Sequence, residues 1–188
     1  MSDLYTQVVN SPPGRMIAGR VGLPQPTQLE RHKPGAPVIA GAVLSGGAPR
    51  GRLSKRIEQV LGEAGAAKPE TSSAAVKALV FDATGIADST ELVELQRFFH
   101  PNVKRVQRSG RVVVLGTPPA GLPPRAATAQ RALEGFTRSL AKEIGRGIAV
   151  QLVYVAEGAE EEIDSTLRFL LSPRSAYVSG QVIEVGKA

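Results

Sequence analysis

Five short apolar runs, each closed by glycine, proline or charge and each separated from the next by a segment of helical periodicity, constrain this chain more than any other feature. The runs lie at residues 38–45, 76–81, 111–115, 148–155 and 181–185. Between them Leu53, Ile57, Val60 and Leu61 recur at helical spacing, as do Leu92, Leu95 and Phe99, then Leu133, Phe136, Leu140 and Ile144, and finally Ile163, Leu167, Leu170 and Leu171. A run that is apolar without alternation reads as a strand buried on both faces, and such strands alternating with amphipathic helices predict a parallel sheet covered by helices. The expectation is an α/β fold: an open, five-stranded parallel sheet with helices on both faces, joined by right-handed crossovers. Asp88 with Glu91 three residues later predicts a capping box before the second helix, and Pro101 ends or kinks that helix.

Residues 1–37 follow a different grammar. They hold Pro12, Pro13, Pro24, Pro26, Pro34 and Pro37, six of the fourteen prolines, so neither a central strand nor a long helix is expected. Leu4, Val8, Val9, Met16, Ile17, Val21 and Leu23 are too apolar for a solvated tail, which predicts an arm that packs on a body or a partner, ahead of a domain at 38–188. The absence of cysteine excludes disulfides, thiolate metal sites and a cysteine nucleophile, and fits a reducing cytoplasm. No apolar run is long enough for a membrane span, and Met1-Ser2-Asp3-Leu4 lacks a signal-peptide profile, so a soluble cytoplasmic protein with no membrane partner is expected. The net charge of +6 resolves into a basic stretch (Arg97, Lys104, Arg105, Arg108, Arg111, Arg125, Arg131) and an acidic one (Glu157, Glu160, Glu161, Glu162, Asp164). Phe98 and Phe99 are the basic stretch's only aromatics, too few to stack bases, so no nucleic-acid partner is expected.

In open α/β sheets ligands bind beyond the C-terminal strand ends, which directs attention to Gly46, Gly47 and Gly51 after the first run. A dinucleotide turn wants three glycines, and Gly47-Ala48-Pro49-Arg50-Gly51-Arg52-Leu53 supplies two, with Leu53 in the third place. No strand follows this helix, so the acid that would hold a ribose has no home; Glu70 follows a polar loop. Two readings stay open here: a purely geometric turn, or a cofactor turn with Gly46, Gly47, Gly51, Asp82 and Gly85 as its remnants. Asp82, at the end of the second run, either ties down its loop through backbone N–H groups or serves a site. His32 and His100 are the only histidines, and no spacing of His with Asp or Glu converges, so no metal is expected. Ser45, Ser139 and Ser179 have no positional His or Asp partner, which leaves a hydrolase triad unsupported.

These residues carry a resemblance. Gly47-Ala48-Pro49-Arg50-Gly51 resembles the glycine turn of short-chain dehydrogenases, and Phe81-Asp82-Ala83-Thr84-Gly85-Ile86 resembles their Asn-Asn-Ala-Gly segment. Gly110-Arg111-Val112-Val113-Val114-Leu115-Gly116-Thr117 is similar to the strand ending at their active-site serine. Ala132-Leu133-Glu134-Gly135-Phe136-Thr137-Arg138-Ser139-Leu140-Ala141-Lys142-Glu143 is similar to the helix that carries their Tyr-x-x-x-Lys, and Ser175-Ala176-Tyr177-Val178-Ser179-Gly180-Gln181-Val182 to the segment before their last strand. Laid on that motif, the tyrosine position falls on Ala126, the lysine position on Gln130 and the serine position on Thr117. Alanine has no proton to give and glutamine no charge, so the acid and its electrostatic support are both missing. Two strand–helix units that normally follow the first helix are missing as well.

The whole chain, including Ser2-Asp3-Leu4-Tyr5, Val8-Val9-Asn10-Ser11 and Gly22-Leu23-Pro24-Gln25-Pro26, resembles the N-terminal domain of high-molecular-weight 3-oxoacyl-[acyl-carrier-protein] reductases. The resemblance implies a flavodoxin-like, degenerate short-chain dehydrogenase domain, itself without catalysis or cofactor. It would be followed by a complete dehydrogenase domain that uses NADH to reduce 3-oxoacyl thioesters in fatty acid metabolism. The implied partners are that C-terminal domain, a second copy in a homodimer, and an acyl carrier protein or coenzyme A thioester. An active NAD(P)-binding short-chain oxidoreductase, with Tyr154 or Tyr177 as a displaced acid, and a free-standing flavodoxin-like binding or regulatory module are the competing expectations.

Overall fold

The computed structural model describes residue 8 and residues 11–21 and 27–187. The chain divides into two units, residues 1–30 and 31–188. In the first unit a ten-residue helix, α1 (Pro12–Val21), begins at the two prolines. That placement is tolerated because first-turn residues have no intrahelical N–H bond to lose. Leu4, Val9, Leu23, Pro24 and Pro26 of the expected arm, and most of the N-terminal motifs quoted above, lie outside the described residues.

The second unit is built on five parallel strands, β1 (Val43–Gly47), β2 (Val76–Asp82), β3 (Val106–Gly116), β4 (Ala149–Val155) and β5 (Gln181–Val185), arranged in chain order β1-β2-β3-β4-β5. The helices between them are α2 (Ser54–Glu63), α3 (Val93–Asn102), α4 (Pro124–Glu143) and α5 (Ile163–Leu171). Every residue of β2 and β4 is buried, as runs without alternation demand. The chain therefore has a Rossmann-like α/β fold, a truncated form of the short-chain dehydrogenase topology.

Alternate strand residues feed two cores. Ala78, Val80, Val113, Leu115, Val153 and Val155 pack with Leu53, Ile57 and Val60 of α2 and Ile163, Leu167 and Leu170 of α5. Leu79, Phe81, Val112, Val114, Leu152 and Tyr154 pack on the opposite face with Leu95 and Phe99 of α3 and Ala129 and Leu133 of α4. Phe81, Phe98, Phe99 and Phe136 form a chain of rings with centroids 5.0–5.7 Å apart, placing four of the five phenylalanines where tilted and edge contacts add to burial.

This arrangement corrects one expectation. All four connections step one strand in the same direction, yet α2 and α5 cover one face and α3 and α4 the other. The two pairs of crossovers have opposite hands, so two of the four break the right-handed rule.

Boundaries shift for local reasons. The first strand runs over Val43–Gly47 rather than 38–45, so Gly46 and Gly47 end the strand instead of breaking it. A Cβ on Gly46 would stand 2.5 Å from the Phe98 ring, so only glycine lets α3 approach there. The third strand starts five residues early, at Val106, because an irregularity about Ser109 (φ +53°) interrupts the pairing before it resumes at Arg111. Pro101 sits in the last turn of α3, which ends one residue later. The expected capping box is displaced by one residue: Asp88 accepts from Thr90 N (2.9 Å), but Glu91 reaches back to Ala87 N (2.7 Å).

Candidate functional site

The C-terminal ends of β1, β2 and β3 bring together Gly46, Gly47, Gly51, Asp82, Gly85, Thr117 and Gln130, the positions singled out in the sequence. Asp82 is completely buried at their centre. Its Oδ2 accepts from Leu53 N (2.8 Å), the residue preceding α2, and from Ser54 Oγ (3.2 Å). Its Oδ1 accepts from Thr84 N (3.0 Å) and Thr84 Oγ1 (2.6 Å), the loop tie expected of an Asp that follows a strand. Two further turn donors are used: Gly51 N donates to Ala48 O (3.1 Å) and Arg52 N to Thr84 Oγ1 (2.9 Å).

A helix N-terminus with free N–H groups is an anion site, and in a dinucleotide turn it receives a pyrophosphate. Here the chain's own Asp82 carboxylate occupies one such group, Leu53 N. A Cβ on Gly51 would lie 2.5 Å from Asp82 Oδ2, and one on Gly85 would lie 2.2 Å from Pro49 O. The missing side chains thus admit a carboxylate and a neighbouring loop. Leu53, in the third glycine position, is fully buried in the core beneath α2.

Arg52 extends the closure across the sheet edge. Its guanidinium pairs with Glu160 (2.6 Å), donates to Val155 O at the end of β4, and lies 3.5 Å from Thr117 Oγ1. Burial pushes the Glu160 carboxyl up, but backbone N–H groups of Glu160 and Gly158 and the Arg52 charge outweigh it and hold it below the usual range. Thr117, at the serine position, gives its hydroxyl to Thr84 O (3.4 Å).

Gln130, at the lysine position, is buried and fully engaged. Its Oε1 accepts from Thr117 N (2.8 Å), and its Nε2 donates to Ala83 O (2.9 Å) and Ile86 O (2.8 Å). It clamps the loops after β2 and β3 to α4. Ala126, at the tyrosine position, is half-buried one turn earlier.

Of the two tyrosines considered as a displaced acid, Tyr154 turns its hydroxyl to the backbone of α4 and Tyr177 is exposed. Tyr154 is buried and donates to Gln130 O (2.9 Å), with Glu134 Oε1 at 3.4 Å. Tyr177 is 72% exposed, its ring under Arg31. Burial, and then the Glu134 carboxylate, push the Tyr154 phenol up to about 12. In the unfolded chain the phenol ionises near about 10, so its stabilising contribution is complete below that pH and lost as pH rises toward about 12. Tyr154→Phe is expected to remove about 1–2 kcal/mol of the stability lost on going from pH 10 to 12, read from urea melts across that range.

The remaining candidates lie elsewhere. Ser45 donates to Glu58, Ser179 Oγ accepts from Val150 N (3.2 Å), and Ser139 is exposed on α4. Among the described residues no cluster of His, Asp and Glu could hold a metal, and no helix is long and apolar enough to cross a membrane. Arg52 and Thr84 were not singled out in the sequence, and Glu160 only as part of an acidic stretch. The contacts of Arg52 with Thr84 and Glu160 join residues 32 and 108 positions apart, and no local spacing signals them; the bond of Thr84 to Asp82 is the local exception.

No family model matches the chain, and no curated protein does. Solved structures do. A short-chain dehydrogenase/reductase from Serratia marcescens superposes with a TM-score of 0.59 at 20% identity, covering 80% of this chain and 97% of its own. A short-chain dehydrogenase family protein from Francisella tularensis gives 0.59 at 13% identity, covering 77% and 97%. BdcA, solved in complex with NADPH, gives 0.52 at 17%, covering 79% and 94%. At these identities the likeness is one of fold.

Proposed function

We propose that this chain is a non-catalytic, dehydrogenase-like domain that supports the assembly of a two-domain 3-oxoacyl thioester reductase, whose NADH-dependent chemistry resides in a following domain. The observation that carries the reading is the self-filled cleft. Asp82 takes Leu53 N at the start of α2, Arg52 spans the strand ends, and Gln130 is spent on holding loops where the family places a charged lysine. With Ala126 at the acid position, no group here can protonate a carbonyl oxygen as hydride arrives.

The contribution to assembly comes from the seam between α3 and α4. Leu92, Leu95, Phe99, Ala132, Phe136 and Leu140 line an apolar groove of about 410 Å3 between them. An apolar groove on two adjacent helices suits pairing with the helices of another dehydrogenase-like domain, either the C-terminal domain of the same protein or a second copy. Phe136→Glu would place a charge in that joint and is expected to lower the oligomeric mass of the whole reductase in sedimentation velocity. Exposed basic groups such as Lys104 and Arg108 suit attraction of a phosphate-bearing acyl carrier or coenzyme A thioester.

The direct test is calorimetric titration of this chain with NADH. No heat of binding is expected, and micromolar affinity would overturn the closed cleft and favour an active NAD(P)-dependent oxidoreductase.

A further inference from the structure

A second concavity of about 620 Å3 lies away from the strand ends, between the 32–38 segment and the C-terminal half of α5 with the turn that follows it. Its chemistry is one-sided: His32, Arg168 and Arg174 line it with the hydroxyl residues Ser165 and Ser172, and no carboxylate does. Arg168 is already matched, its Nε 2.9 Å from both Asp164 oxygens and its Nη2 3.1 Å from Glu63. Arg174 is not. Among the described residues its guanidinium meets no acid and instead lies 3.4 Å from His32 Nε2. A guanidinium can only donate, so the ring nitrogen accepts, and the pairing leaves most of the five N–H donors of Arg174 unused. A guanidinium with unused donors and no counter-charge matches an oxyanion, to which the imidazole can add its Nδ1–H, and arginine's planar fork suits phosphate.

The rest of the wall is apolar. Pro34, Ala36, Val38 and Phe169 line it, and Phe169 is left 41% exposed although most large hydrophobics of the fold are covered. We propose that this pocket binds an organic phosphate, with the phosphate on Arg174 and His32 and an apolar or aromatic body against Phe169 and Val38. The site is independent of the vestigial cleft and of the assembly role.

Calorimetric titration with phenyl phosphate, inorganic phosphate and benzoate tests each half of the assignment. Phenyl phosphate is expected to saturate one site and to bind at least about tenfold more tightly than inorganic phosphate. Arg174→Gln, at an exposed position, is expected to weaken both phosphates by about tenfold or more, while Phe169→Ala removes the phenyl advantage and leaves inorganic phosphate unchanged. Circular dichroism of both variants confirms that the fold is kept. Absence of saturation in the millimolar range, or unchanged binding in Arg174→Gln, would overturn the site. Equal affinity for the two phosphates would overturn the apolar body, and benzoate binding as tightly as phenyl phosphate would overturn the phosphate class.

Discussion

Asp82→Ala is expected to destabilise the fold by about 4 kcal/mol, because hydrogen bonds to a charged group contribute roughly 1.5–3 kcal/mol each and orphaned buried donors cost roughly 1–3. Four donors converge on the carboxylate from two loops, and alanine would leave Leu53 N and Thr84 N without their acceptor. At roughly 2–4 °C per kcal/mol for a domain of this size, the melting temperature should fall by about 8–16 °C. Asp82→Asn keeps an acceptor without the charge and should lose about half as much. The variant also tests the closed cleft. Removing the carboxylate frees the α2 N-terminus for an external anion, so pyrophosphate is expected to raise the melting temperature of Asp82→Ala and not that of the wild type. A melting temperature within about 2 °C of wild type, a change below 1 kcal/mol, would show that Asp82 is not the tie between the loops.

The fold was legible because burial has a one-dimensional signature. Short, β-branched, unalternating runs at 76–81 and 148–155 fit strands covered twice, and the 3, 4, 4 steps from Leu133 to Ile144 fit one face of a helix. Handedness has no such signature. Its reversal follows from the same burial: with strands in sequential order, uniformly right-handed crossovers would stack all four helices on one face and leave the other apolar face bare. Splitting the helices between faces covers both. For α2 the missing strand–helix units give a further reason. Were they present beyond β1, the step out of β1 would run away from β2, and a helix on the α2 face would have the hand opposite to the present one.

The candidate site was legible in what it lacks and not in what replaced it. On the resemblance, Ala126 and Gln130 stand at the acid and lysine positions, and their residue types alone supply neither a proton nor a charge. That Gln130 instead pins Ala83, Ile86 and Thr117, and that Arg52 reaches Val155 and Glu160, are contacts between elements whose approach only the sheet order creates. Asp82 stands between the two cases: its bond to Thr84 is local and readable, and its bond to Leu53, 29 residues back, is not.

Gln130→Lys restores the lysine that the resemblance places on α4, and it is expected to unfold the site, not to activate it. The Nε2 bonds to Ala83 O and Ile86 O could pass to the ammonium, but Thr117 N would lose its acceptor, since lysine has none. The charge would enter a position that is 1% exposed, and Glu134, one turn along α4, is already shared between Arg131 and Arg138. An uncompensated buried charge costs about 3–5 kcal/mol, against about 2 kcal/mol for Gln130→Met, which loses the same clamp without adding a charge. Urea melts of the two variants separate these terms, and the lysine variant should also regain stability at high pH as its ammonium loses the proton. Adding Ala126→Tyr should leave NADH oxidation with a 3-oxoacyl thioester at background, because Arg52 and Asp82 still fill the cleft. A stable double variant that turns over would mean that the closure is shallow enough for NADH to displace, and the assembly role would then have to share the domain with catalysis.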